Sequence, residues 1–74
     1  MDLKELKNMD STFGIGPRDK ESHDIVMHWL LSNNYTIQGI SNDGDHFTDI
    51  TVHGDYNKCY NALNYLHISF ENWD

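Results

Sequence analysis

Residues 35–53 have the sequence YTIQGISNDGDHFTDITVH, in which two alternating, strand-like segments flank an Asn-Asp-Gly-Asp turn. Asp-Gly between such segments is a strong β-hairpin signal, because a two-residue type I′ turn needs positive φ at both central positions. With Asp43-Gly44 at the centre of the turn, the strands span residues 35–41 and 46–53, and Ile40 pairs with Phe47. The sequence therefore predicts a hairpin around which the rest of the chain packs.

Because side chains alternate between the two faces of a strand, this register gives the hairpin one apolar face and one mixed face. We expect the core face to hold Tyr35, Ile37, Thr48, Ile50 and Val52. The opposite face has an exposed pair at its centre, Ile40 and Phe47, with a rim of Thr36, Gln38, Asp49, Thr51 and His53. An apolar centre with a polar rim is typical of a small protein-binding surface. In a second interpretation, the N-terminal segment folds back and covers the pair.

The segment before the hairpin predicts a helix over residues 18–33. Pro17 suits the first position of a helix, and acidic residues in the opening turn interact favourably with the positive end of the helix dipole. Apolar residues recur with helical spacing and form a stripe of Ile25, Val26, Trp29 and Leu30. Residues 1–17 are predicted to be a short helical or irregular arm. Phe13 and Ile15 in this arm either pack under the helix or protrude as a binding loop.

The segment after the hairpin predicts a second helix over residues 55–72. Asp55 is a suitable N-cap, and apolar residues from Tyr56 to Trp73 recur at steps of three and four. The alternation between Leu66 and Phe70 leaves another interpretation open, in which a third strand replaces the end of this helix. The expected fold is a single α+β domain, residues 1–74, with the order helix, β-hairpin, helix (αββα).

The chain of 74 residues has 12 acidic and 5 basic side chains, which gives a formal net charge of −7. Phosphate binding depends on clustered Lys and Arg, so this balance argues against direct binding of nucleic acid. It favours a basic surface on another protein, because opposite charges accelerate encounter. The sequence contains neither an apolar run of membrane-spanning length nor the pattern of a signal peptide, which predicts a cytoplasmic protein that does not bind membranes.

The titratable residues match no catalytic or metal-binding motif. His53 with Asp55 and Asp49 is the best metal candidate, but structural zinc usually involves paired cysteines and the chain has one, Cys59. Cys59 falls on the apolar face of the second predicted helix, where burial makes a thiol inert. We therefore expect a protein without enzymatic activity, metal or cofactor, and a small metal-dependent or enzymatic domain is the last alternative.

These features favour a protein-binding module, a small effector or inhibitor that docks on a basic surface of a larger protein. The expected binding residues are Gln38, Ile40, Asp43, Asp45, Phe47, Asp49 and His53. The abundance of Asn and Asp, with a single alanine, resembles the composition of small host-directed effectors encoded by bacteriophages and mobile elements. In one variant of this hypothesis, the carboxylates of the hairpin imitate nucleic-acid phosphates, and the hairpin occupies the DNA- or RNA-binding groove of another protein. In the structural alternative, unpaired hairpin edges join two chains into a homodimer.

Overall fold

The structure is a computed structural model that describes residues 10–42 and 47–73. The elements, in chain order, are strand β1 (Asp10–Gly16), helix α1 (Lys20–Ser32), strand β2 (Thr36–Ser41), strand β3 (Asp49–Asp55), helix α2 (Tyr56–Leu63), a 3₁₀ turn (Asn64–Leu66) and strand β4 (Ser69–Asn72). The described part of the chain is thus a small α+β structure with two helices and a four-stranded antiparallel sheet. The predicted fold class is confirmed at this level.

The strands lie in the order β2-β3-β1-β4, so that β3 and β1 are central and β2 and β4 form the edges. Each helix connects two parallel strands that are separated by a third, antiparallel strand. This connectivity is the split βαβ, or ferredoxin-like, arrangement. The predicted αββα order is not confirmed, because β1 and β4 extend the sheet beyond the hairpin.

Strand β1 corrects the prediction of a helical or irregular arm for the part of residues 1–17 that the structure describes. Phe13 and Ile15 point into the core, where they are 0% and 2% exposed, so the prediction that they pack under a helix is confirmed and the binding-loop alternative is wrong. Gly14 and Gly16 alternate with them, which made the segment resemble a loop in the sequence. Pairing with β3 and β4 on both sides overrides that weak local preference.

Helix α1 begins at Lys20, two residues later than predicted, because Asp19 caps it. The Asp19 carboxylate accepts a hydrogen bond of 2.8 Å from the Ser22 backbone N–H, and this hydrogen bond lowers the pKa of Asp19. Val26 and Leu30 are the fully buried part of the predicted stripe. Asn34 follows the helix with a φ of 65°, the left-handed conformation in which many helices end.

Strands β2 and β3 form the predicted antiparallel pair, but in a different register. Ile37 pairs with Val52 and, beyond a bulge, Ile40 pairs with Ile50, whereas the two-residue turn predicted that Ile40 would face Phe47. The prediction failed because β3 begins only at Asp49, so the connection is longer than a two-residue turn. Since a bulge adds one residue to one strand, it also moves Ile40 onto the same face of the sheet as Ile50.

One hydrophobic core lies between the helices and one face of the sheet. Its buried members are Phe13, Ile15, Val26, Leu30, Tyr35, Ile50, Val52, Cys59 and Leu63. The predicted core face of the hairpin is confirmed, since Thr48 is also buried and Ile37 packs against the core. The Tyr35 hydroxyl donates a hydrogen bond of 2.7 Å to the Asp55 carbonyl oxygen. Gly54 makes room for this ring, because a Cβ there would lie 2.3 Å from Tyr35 Cδ2.

Helix α2 is shorter than predicted. Asp55 caps it as expected, since its carboxylate accepts a hydrogen bond of 3.1 Å from the Lys58 backbone N–H. The helix ends at Leu63, so the prediction of helix to residue 72 is wrong and the alternative of a C-terminal strand is confirmed. His67 reverses the chain with a φ of 55°, a conformation that is uncommon outside glycine. The following strand then pairs with β1.

Candidate functional site

The face of the sheet opposite the core is not covered by any helix or strand in the described part of the chain. We call it the open face. The strand registers place its side chains in rows across the sheet. One row contains Ser69, Gly16, Asp49 and Ser41, the next contains Glu71, Gly14, Thr51 and Gly39, and the third contains Trp73, Thr12, His53 and Thr36. Apart from Gly16, which is buried, the residues of these rows are half-buried or exposed. The residues that alternate with them in the two central strands, Phe13, Ile15, Ile50 and Val52, are buried in the core.

A groove of about 340 Å³ runs along the centre of the open face. Its floor is the backbone of β1, where Gly14 and Gly16 place no side chain above the sheet. Asp49 on β3 flanks it on one side and Glu71 on β4 flanks it on the other. We call this feature the β1 groove. Because β1 separates the two flanking strands, their backbones lie about 10 Å apart, twice the usual strand spacing.

Trp73 lies directly over the floor of this groove. Its backbone N–H donates to the Thr12 carbonyl oxygen at 3.1 Å, which continues the pairing of β4 with β1. Its indole ring packs so closely on Gly14 that a Cβ at that position would lie 2.9 Å from Cζ2 of the ring. The side chain is still 52% exposed. Gly14 therefore positions a broad aromatic surface that remains accessible to a partner.

The lining of the β1 groove has an acidic character. Asp49 and Glu71 both line it, and the described lining contains no lysine or arginine. The ion pair found among the described residues joins Lys20 and Asp24 on α1, with a distance of 2.8 Å between Nζ and Oδ2. Neither Asp49 nor Glu71 has an ion-pair partner in the described part of the chain. The groove therefore combines uncompensated negative charge with an exposed indole.

Two of the predicted binding residues, Asp49 and His53, lie on the open face as the sequence predicted. His53 is half-buried, and its Nδ1 lies 3.2 Å from the hydroxyl oxygen of Thr12 on the neighbouring strand. This cross-strand hydrogen bond fixes the imidazole at the end of the sheet near Trp73. The position of both residues is confirmed, and their role in binding stays a prediction.

The predicted exposed pair of Ile40 and Phe47 does not form on the open face. Ile40 is 49% exposed on the opposite side of the edge strand, because the bulge reverses its direction. The Phe47 N–H donates to the Pro17 carbonyl oxygen at 2.9 Å, and the Phe47 ring lies 5.7 Å from the His23 ring. Thr48 strengthens this attachment, since its hydroxyl lies 2.8 Å from His23 Nδ1. Phe47 therefore anchors the start of β3 to helix α1.

Of the remaining predicted binding residues, Gln38 lies in the edge strand β2, and Asp43 and Asp45 lie outside the described residues. Gln38 is exposed and is the extra residue of the bulge in β2. Residues 1–9, which the second interpretation placed over Ile40 and Phe47, also lie outside the described residues.

The sequence reasoning missed Glu71 and Trp73 as site residues, because it placed the residues up to 72 in a helix. A useful signal was present in the alternation after Leu66. Ile68 and Phe70 pack against the core, whereas Ser69, Glu71 and Trp73 line the groove. Only the strand interpretation puts these two sets on opposite faces.

The structure separates the residues of the proposed metal site. Asp55 caps α2, while Asp49 lies at the other end of β3 beside the groove. Within the described residues there is no group of three or more His, Cys, Asp or Glu side chains that could hold a metal ion. Cys59 is buried as predicted, and burial raises the pKa of its thiol to about 12. None of the helices in the described ranges is long and apolar enough to cross a membrane.

Comparison of the chain with protein-family models, with curated proteins and with solved structures finds no match. The split βαβ arrangement supports many unrelated functions, so the fold alone does not indicate one. The features of the molecule that bear on its function are therefore the charges and the exposed side chains of the open face.

Proposed function

We propose that this chain is a non-enzymatic protein-binding module, a small effector or inhibitor that docks its open face on a basic surface of a larger protein. The observation that supports this most directly is the β1 groove. Two carboxylates without ion-pair partners among the described residues flank it, and Trp73 offers an exposed indole beside them. Exposed tryptophan is enriched at the centres of protein interfaces.

The charge of the whole chain supports the same partner. A net charge of −7 on 74 residues creates a negative field that attracts a basic surface and repels nucleic acid. Opposite charges accelerate the association of two proteins and make it sensitive to salt, while a buried aromatic side chain at the centre of an interface supplies much of the affinity. The open face has both features, since the indole lies beside the acidic groove. A nucleic-acid-binding protein is the narrower version of this partner, because its binding groove is a basic surface of the required kind.

The sheet also supports a second candidate function, a homodimeric subunit, through one of the two hairpin edges that the sequence predicted to be unpaired. The hairpin does not have two free edges, because β3 pairs with β1 inside the sheet. Strand β2 is an edge, and its residues TIQGIS contain no charged side chain and no proline. Charges and prolines are the usual protection of an edge strand against pairing. Sedimentation that finds only monomer at high protein concentration would eliminate this candidate.

The main proposal is tested by affinity capture with three forms of the full chain as bait. The first is the wild type, the second carries Asp49→Asn and Glu71→Gln, and the third carries Glu21→Gln as a control. Glu21 is an exposed acidic residue of the first turn of α1, away from the open face. We expect basic proteins that bind the wild type and the control but not the double variant. Each candidate is then purified and its dissociation constant is measured over a range of salt concentrations.

For a true partner, loss of both carboxylates should weaken binding by about tenfold or more, since about 1.4 kcal/mol corresponds to a factor of ten. High salt should weaken the wild-type complex in the same direction. The proposal is wrong if every captured protein binds the double variant as well as the wild type. It is equally wrong if the affinity of the purified partner does not depend on salt.

A further inference from the structure

We propose that the β1 groove receives one arginine side chain of the partner, with its guanidinium against the Trp73 indole and between Asp49 and Glu71. This inference rests on the proposed function, which concerns the whole open face, and adds the chemical group that enters the groove. Charge complementarity, the aromatic surface of Trp73 and the shape of the groove floor together favour this occupant.

The floor of the groove is unusual for a central strand. Gly14 and Gly16 are two residues apart and therefore face the same side of β1, directly between the flanking strands. Glycine inside a strand weakens it and often marks a place where a ligand or another chain approaches closely. Trp73 occupies the space above Gly14. A side chain from a partner would lie in the remaining part of the β1 groove, beside the indole.

The walls of the groove favour a cation. Asp49 and Glu71 lie on the two strands that flank β1, and the described lining offers no positive charge to compete with a ligand. A bound cation over the face of an indole gains a further favourable interaction with the ring. An anion would meet two carboxylates, and a purely apolar group would leave both of them without a partner at the interface. The groove is therefore complementary to a positively charged side chain.

Arginine fits these walls better than lysine. The guanidinium is planar, stacks on aromatic faces and carries five N–H donors that point to more than one side. It can therefore donate to a carboxylate on each side of the groove while it lies flat against the Trp73 ring. A lysine ammonium is a compact, strongly hydrated charge that donates to the carboxylate on one side of the groove at a time. This difference predicts a preference that a binding experiment can measure.

The test uses the full ¹⁵N-labelled chain and three capped tripeptides, Gly-Arg-Gly, Gly-Lys-Gly and Gly-citrulline-Gly. Citrulline has nearly the shape of arginine without its charge. The readouts are the NMR signals of the Trp73 indole N–H and the Gly14 amide. Trp29 is an internal control, because its ring packs against Tyr35, with 5.1 Å between centroids, and belongs to the core side. Chemical-shift changes are followed as a function of peptide concentration.

We expect the arginine peptide to shift the Trp73 and Gly14 signals with a dissociation constant in roughly the millimolar range, as for a few exposed charge and cation–π contacts. The lysine peptide should bind at least about threefold more weakly, and the citrulline peptide should give no saturable change. Asp49→Asn and Glu71→Gln should each weaken binding of the arginine peptide by about threefold or more. Glu21→Gln should leave it unchanged. Intact Trp29 signals confirm that each variant is folded.

The inference is overturned if lysine or citrulline binds as well as arginine, or if the arginine peptide shifts Trp29 rather than Trp73. Such a result would leave the proposed function intact as long as capture of the basic partner still depends on Asp49 and Glu71. Conversely, saturable arginine binding in the groove without any charge-dependent protein partner would uphold this site and overturn the proposed function.

Discussion

The two faces of the sheet have opposite chemistry although they are formed by the same strands. In β1, Phe13 and Ile15 are buried in the core, while Gly14 and Gly16 leave an open groove on the other side. In β4, Phe70 packs inward and Glu71 points out. The two-residue period of a strand thus separates the residues that stabilise the fold from those available for binding. Substitutions on one face should change the free energy of unfolding, and substitutions on the other should change binding.

The largest effect is expected for Phe13→Ala. The ring is fully buried and makes edge-on contacts with Tyr35 and Tyr56, with 5.1 Å between the Phe13 and Tyr56 ring centroids. Truncation of a buried phenylalanine typically costs about 3–5 kcal/mol, and a core of this size supplies roughly that much in total. We therefore expect the variant to be largely unfolded at 25 °C by circular dichroism. Thr51→Ala, on the open face of the adjacent strand, is the control and should lower the unfolding free energy by less than about 1 kcal/mol.

A smaller loss of stability is expected for Gly54→Ala. The added methyl group would lie 2.3 Å from the Tyr35 ring, so the ring must move within a packed core. Overpacking of this kind typically costs about 1–3 kcal/mol. Gly39→Ala is a matched control, because a Cβ at Gly39 would have no atom within 4 Å. Urea denaturation of both variants measures the difference, and equal unfolding free energies would contradict the close approach of Tyr35 to Gly54.

The core face could be predicted from the sequence because its signals are strong and local. Val26 and Leu30 follow helical spacing, and Ile50 and Val52 alternate in a β-branched segment. Strand β1 could not be predicted in this way, since two of its open-face positions are Gly14 and Gly16 and its partners in β3 are about 40 residues away. Pairing with distant strands compensates for the poor local strand signal of β1. The pattern of a single sequence does not show which distant segments pair.

The open face was predicted only in part. Asp49 and His53 were placed correctly because the face of β3 follows from simple alternation. Ile40 was assigned to the wrong side of the sheet, since a bulge is not visible in the sequence pattern and each bulge reverses the faces beyond it. Glu71 was not recognised because the segment after Leu66 has both helical and alternating periodicity. Errors of register and period therefore affect the binding face more than the core.

Alkaline pH should destabilise the fold through buried groups on the core side. Burial raises the pKa of the Cys59 thiol to about 12, against an ordinary value of 9.0, and burial also raises the pKa of the Tyr35 hydroxyl. Both groups are neutral in the folded chain and ionise more easily when it unfolds. Their contribution to stability is therefore complete below about pH 9 and is lost as the pH rises toward 12.

The measurement is the urea midpoint at a series of pH values from 8 to 11, with Cys59→Ala as the comparison. The variant should be less stable at neutral pH because it leaves a small cavity, but its midpoint should fall less steeply above about pH 9. A remaining slope is expected from Tyr35. If the wild type and the variant lose stability in parallel, the Cys59 thiol does not have the raised pKa, and it should then also react readily with thiol reagents at pH 8.

The smallest effect on stability is expected for Asp49→Asn with Glu71→Gln, the pair that should have the largest effect on binding. Neither carboxylate has an ion-pair partner among the described residues, so folding loses little when they are neutralised. The change also reduces the magnitude of a net charge of −7, which relieves repulsion within the chain. We expect an unfolding free energy within about 0.5 kcal/mol of the wild type. At low salt, where charges interact over longer distances, the variant should be slightly the more stable of the two. A loss above about 1 kcal/mol in the urea midpoint analysis would mean that the carboxylates help to hold the sheet together, and weakened binding by this variant would then no longer identify the open face as the contact surface.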